Sequence, residues 1–183
     1  MSYGSLFTEA IERTERLGLG HIPFTPHGDR LLSPGAIDAL GEVVRARLKG
    51  IKPELWTENC FAIHNSVAQA ATGVLGVPAY LTIGDVRSEG KWLCDADEGK
   101  IAELLKIGVQ HGGVVRLHAW ITLPSMEVMD LTLPTSIGLQ ENIPDLVGSA
   151  IVKHVDDLTG GVSYRPLVVG NEFLRRIGAL LES

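Results

Sequence analysis

An α+β fold is predicted for this chain because helix-patterned segments come first and β-type runs gather later, with no steady alternation of strand and helix. The clearest single feature is a hairpin, two β-type runs on either side of Pro124-Ser125.

The spacing of Leu6, Ala10, Ile11 and Leu17 predicts a helix over 5–17. Ile37, Leu40, Val43, Val44 and Leu48 predict a second over 34–49, with Ser33 as cap and Pro34 in the first turn. Between them GLGHIPFTPHGD, rich in Gly and Pro, reads as a loop. A third helix is expected over 59–75, ending near Gly73 or Gly76, and a strand over 77–86 after the Gly-Val-Pro turn. The segment 97–107 fits a short amphipathic helix entered from an Asp-rich turn and closed by Gly108. The hairpin runs cover 114–123 and 126–133. A helix over about 144–157, a turn at Gly160-Gly161, a short strand over 166–169 and a last helix over 171–181 complete the expectation. No repeat, low-complexity tract or linker divides the chain, so one domain is expected over 1–183.

With 183 residues, 45% of them hydrophobic and 21% charged, the chain can bury a continuous core without disulfide or metal staples. No window approaches the roughly 18 uncharged apolar residues of a membrane span, so no membrane partner is expected. The first residues, MSYGSLFTEAIERTERLG, lack the basic-then-apolar order of a secretory signal. A cytoplasmic location is expected, although a protein secreted by another route would read the same. The net charge of −6, without a cluster of Lys and Arg, argues against nucleic acid as a partner. No phosphate-cradling glycine pattern is present, and no cofactor is expected. Cys60 and Cys94 are too few for a disulfide framework.

Cys60, in WTENCFAIHNS, opens the third helix if Thr57 or Asn59 caps it. Unpaired N–H groups and the macrodipole of a first turn favour a negative sulfur there. The plainer reading makes Cys60 the start of a buried stripe continued by Ile63, Val67, Ala71 and Val74. The hairpin bears on the choice. Facing residues of an antiparallel pair have position numbers that add to a constant: 249 if Leu123 faces Met126, 248 if Thr122 does, 250 if Leu123 faces Glu127. An odd constant buries the Asp130 carboxylate among Val115, Leu117, Ala119 and Ile121, which is costly. An even constant puts His118 on the face of Asp130, opposite to it at 248 and diagonal at 250. An aspartate that accepts one ring N–H fixes the imidazole tautomer and aims the other nitrogen at a nucleophile.

In this order the segments resemble the transglutaminase-like superfamily of cysteine enzymes, distant relatives of papain. The resemblance runs over 59–135, under half of the chain. NCFAIHNSVAQAATGVLGVPAYLTIGDV resembles the cysteine helix with its Gly-Val-Pro-Ala turn and following strand, LHAWITL the His-Ala-Trp strand, and VMDLTLPT the Asp-x-Thr segment. The resemblance implies a papain-like core, with the cysteine-bearing helix packed on an antiparallel sheet and extra helices at both ends. It also implies that Cys60 is the nucleophile, His118 the general base and Asp130 the orienting carboxylate. The chain departs from the pattern where Ile121-Thr122-Leu123 replaces a common acidic residue and where Asp130-Leu131-Thr132 replaces Asp-Pro-Thr. An insert over 88–113, longer than a minimal connection, is expected to shape the substrate side.

The expected activity is acyl transfer from an amide or ester through a Cys60 thioester, resolved by water or an amine, on a protein, peptide or small amide substrate. Hydrolysis and transfer are not separated by sequence, and neither is the oligomeric state. The backbone N–H of Cys60 would be one oxyanion donor, and either the Trp56 indole or the Asn59 amide a second. Trp120 shares the parity of His118 and either walls the cleft or packs as core. Two other readings stand beside this one: a binding module that keeps the fold without turnover, and a metal site of Cys60, His64 and His118 that lacks an evident fourth ligand. Cys94, before a turn, is expected to be structural or incidental.

Overall fold

The computed structural model describes residues 1–109 and 115–180. In chain order the elements are α1 (Tyr3–Arg16), α2 (Pro34–Arg47), α3 (Cys60–Leu75), β1 (Tyr80–Ser88), β2 (Lys91–Trp92), α4 (Glu98–Ile107), β3 (His118–Thr122), β4 (Glu127–Asp130), α5 (Leu133–Gln140), β5 (Ile151–His154), β6 (Ser163–Val169) and α6 (Glu172–Arg176). Short 3₁₀ turns lie at Pro53–Leu55, Pro144–Leu146 and Val155–Asp157. The mixture of helices and antiparallel strands is α+β, as the order of patterns in the sequence predicts. Among the described residues no helix is long and apolar enough to cross a membrane.

Two compact units form from non-contiguous stretches. The first takes the described residues within Met1–Phe24, Thr82–Ala119 and Leu158–Ser183, the second those of Thr25–Leu81 and Trp120–Asp157. In the first, β1 pairs with β2 through a two-residue turn at Glu89-Gly90, both at positive φ, the conformation a tight hairpin demands. On its other edge β1 pairs with β6, with an irregularity between Ile83 and Gly84. Helix α1 lies against β6: Thr14 Oγ1 accepts the Val169 N–H at 2.9 Å, and Arg13 donates to the Leu167 carbonyl at 2.8 Å. Asp85, fully buried, accepts the N–H groups of Val86, Cys94 and Ala96 and a bond from Arg165, so the β2 segment is fastened by one carboxylate.

The second unit is built on β3, β4 and β5, with α2 and α3 packed on each other. Ser33 caps α2 by accepting the Ala36 N–H at 3.2 Å, with Pro34 in the first turn. Helix α3 ends on Gly76 at φ 67, a left-handed cap that favours glycine, and so outlasts Gly73. Every residue of β3 and β4 is buried, and the side chains of Trp120, Ile121, Leu123 and Met129 form the centre. The Glu127 carboxylate, 2% exposed, accepts from Ser125 Oγ at 2.6 Å and from the backbone N–H groups of Leu31 and Leu32. That fastens the loop before α2 to the hairpin.

Several expectations need correction. The helix expected over 144–157 does not form: a 3₁₀ turn, Gly148 at φ 82 and then strand β5 take its place, because Ile151 and Val152 find pairing partners in Asp130 and Met129. The second hairpin run stops at Asp130, and Leu133-Pro134 opens α5 instead, proline being suited to a first helical turn. The last helix is shorter, Glu172–Arg176, and its expected end falls partly outside the described residues. Val114 also lies outside them, and 115–117 is not strand.

Candidate functional site

The approach to Cys60 is held by its own backbone. After the 3₁₀ turn at Pro53–Leu55, the Trp56 indole N–H donates to the Ile51 carbonyl at 3.3 Å and Asn59 Nδ2 donates to the Leu55 carbonyl at 2.8 Å. The single indole N–H of Trp56 is thereby engaged by a backbone carbonyl. Asn59 uses one of its two amide hydrogens. Thr57, which does not cap the helix, meets Ser136 of α5 with their hydroxyls 3.0 Å apart.

Cys60 is the first residue of α3, with Asn59 in the cap position but making no side-chain bond to the helix. The three other helices of ten or more residues are capped, by Ser2, Ser33 and Asp97. So the cysteine helix alone among these four leaves its first turn without a side-chain acceptor, where N–H groups and the helix dipole favour an anion. Behind Cys60 a stripe of Ile63, His64, Val67, Ala68 and Ala71 is buried, whereas Val74, expected on the same stripe, is exposed. Cys60 itself is buried, at the margin.

His64 is the residue whose role the sequence did not disclose. Fully buried, it donates from Nδ1 to the Cys60 carbonyl at 2.8 Å, since a carbonyl only accepts, and it accepts the Leu131 N–H at Nε2, 3.0 Å away. These directions assign a neutral ring with its proton on Nδ1. The 3.6 Å approach of Nε2 to Asp130 Oδ1 is therefore no ion pair. They also leave neither nitrogen a lone pair for a metal, which removes His64 from the Cys60, His64 and His118 metal site. The only available signal was its place one turn after Cys60.

Asp130 closes β4, fully buried, and its Oδ1 accepts the N–H groups of Thr132 at 3.1 Å and Leu133 at 3.0 Å. It thus sits at the start of α5 and accepts two of the N–H groups at that helix start. In the hairpin, Ile121 faces Met129 and Thr122 faces Val128, pairs that add to 250. This is the even register expected from the cost of burying Asp130 among aliphatic side chains. It follows from a three-residue loop, closed by the Met126 N–H to Leu123 carbonyl bond at 2.9 Å, with Met126 at φ 63. Alternation gives Trp120 and Thr122 the parity of Asp130, and His118, two residues before Trp120 on the same strand, shares it.

Within the second unit His64 links the backbone carbonyl of Cys60 to the backbone N–H of Leu131, the residue after Asp130. His118 is the first residue of β3 and is buried, on the first unit's side of the division between Ala119 and Trp120. Trp120 is fully buried and belongs to the core. Cys94 is half-buried, with its backbone N–H bound to Asp85 at 3.0 Å. Compared with protein-family models, with curated proteins and with solved structures, the chain matches none.

Proposed function

We propose that the protein is a cysteine-dependent acyl-transfer enzyme of the transglutaminase-like kind, acting on an amide or ester of a protein, peptide or small molecule. Cys60 is the nucleophile, His118 the general base and Asp130 the carboxylate that orients it. The observation that carries the reading is the even register of the β3–β4 hairpin, which gives His118 the parity of a buried, backbone-bound carboxylate. The uncapped start of α3 supports it from the other side, by leaving N–H groups for a thiolate or an oxyanion.

In the proposed reaction the Cys60 thiol gives its proton to His118 and a carbon–sulfur bond forms at the carbonyl. The tetrahedral oxyanion collapses with cleavage of the carbon–nitrogen or carbon–oxygen bond, and the leaving group takes the proton from the imidazolium. Water then resolves the thioester to an acid, or an amine resolves it to a new amide.

The burial of Cys60 favours a second reading, a module with a packed, inert cysteine. Iodoacetamide labelling at pH 7 separates them, because Cys94 is the more exposed thiol. Exposure alone labels Cys94 first. Catalysis requires Cys60 to label first, at least about tenfold faster than a model thiol, and to slow in His118→Ala. If Cys60 reacts no faster than a model thiol, the enzyme reading is wrong.

A further inference from the structure

The stripe of α3 that faces inward is apolar except at His64, where an imidazole lies fully buried. For packing alone a leucine would serve there, and a buried polar ring is costly unless bonded. Both ring nitrogens meet backbone groups: Nδ1 donates to the carbonyl of Cys60, and Nε2 accepts the N–H of Leu131, 67 positions away. Leu131 lies one residue beyond the last pair of the β4–β5 ladder, Asp130 with Ile151, so that pairing does not supply an acceptor for its N–H.

We propose that His64 is a positioning residue for the chemistry of Cys60, a neutral strut that sets the first turn of α3 and the Asp130 end of β4 in one arrangement. The inference rests on the proposed acyl-transfer reading and deepens it. Its second consequence is electrostatic. While Nε2 accepts from Leu131 it carries no proton, so His64 brings no positive charge to Asp130, 3.6 Å away. His64 then does not compete with the imidazolium that forms on His118 in the proposed reaction. A ring protonated on Nε2 would instead lose the Leu131 bond and compete for the same carboxylate.

The test uses the full chain with His64→Leu, which removes both bonds, and His64→Gln, whose amide oxygen replaces Nε2 as acceptor for Leu131. Far-UV circular dichroism establishes folding, and the iodoacetamide rate at Cys60 is followed across pH. His64→Leu is expected to slow labelling by on the order of tenfold to a hundredfold and to move its pH profile toward that of a model thiol. His64→Gln is expected to recover much of the rate, and the ring NMR of the wild type carries the test if His64→Leu does not fold. In the wild type, nitrogen-15 NMR of the ring is expected to show the proton on Nδ1 and none on Nε2. A folded variant without the Leu131 acceptor that labels at the wild-type rate and profile overturns the proposal, as does a protonated Nε2. Fast wild-type labelling with an unchanged His64→Leu leaves the enzyme reading standing and removes His64 alone. A wild-type Cys60 no faster than a model thiol removes both.

Discussion

At the scale of single residues, charge is managed differently inside and outside. Glu127 and Asp130, both buried, are held by backbone N–H donors, so each carboxylate is solvated by the chain itself. Asp157, half outside, is held by a side chain: the hydrogen bond from Arg30, and then its charge, hold the Asp157 carboxyl below its ordinary range. A carboxyl with a depressed folded value stabilises the fold above its ordinary value near 4, and that contribution is lost as pH falls through the folded value. Exposure keeps the effect small. Arg30→Ala is expected to bring the Asp157 titration up toward the ordinary value, as read by carbon-13 NMR of the carboxyl. Its stability deficit relative to wild type should shrink below about pH 4. An Asp157 titration unmoved by the substitution would refute the pairing.

The hairpin shows how much one element decides. Its three-residue loop sets the constant at 250, and that number alone places even residues with even across β3 and β4. The loop requires Met126 in the left-handed region at φ 63, which costs a residue with a Cβ about 1–2 kcal/mol. Met126→Gly is expected to stabilise the protein by up to about 1 kcal/mol, the remainder lost to the entropy of the unfolded glycine. Urea unfolding measures it, and a destabilised variant would mean that the Met126 side chain contributes more than its strain. The parity was legible beforehand because it follows from residue numbers and one unfavourable burial. The exact constant was not, because a two- or three-residue loop at Pro124-Ser125 is decided by turn geometry. Helix α5 and strand β5 depart from the sequence expectation for a related reason: Leu133-Pro134 continues an apolar run, and Ile151-Val152 sits where helical spacing also fits.

Across the whole molecule, the described residues divide into two units, each with its own buried aromatic side chains. In the first, Phe7 is fully buried with its ring edge-on to Phe24, centroids 5.3 Å apart. In the second, Trp120 is the largest fully buried side chain. Trp120→Ala is expected to cost about 3–5 kcal/mol, the range for emptying a large aromatic site. Thermal or urea denaturation checks it, and a loss under 1 kcal/mol would mean that the site collapses to fill the space.

The sequence by itself determined what depends on neighbours in the chain: the capped start of α2, the glycine end of α3, the Gly160-Gly161 turn, both at φ 68, and the even parity of the hairpin. Each follows from local backbone preference or from strict alternation. Only the tertiary structure decided what residues distant in sequence do to one another. It gave Ile151 and Val152 a strand to pair with, turned the Trp56 indole onto a carbonyl, and placed the Leu131 N–H against His64. A hydrogen bond across 67 positions leaves no periodicity to read, because its two ends are brought together by the packing of everything between them.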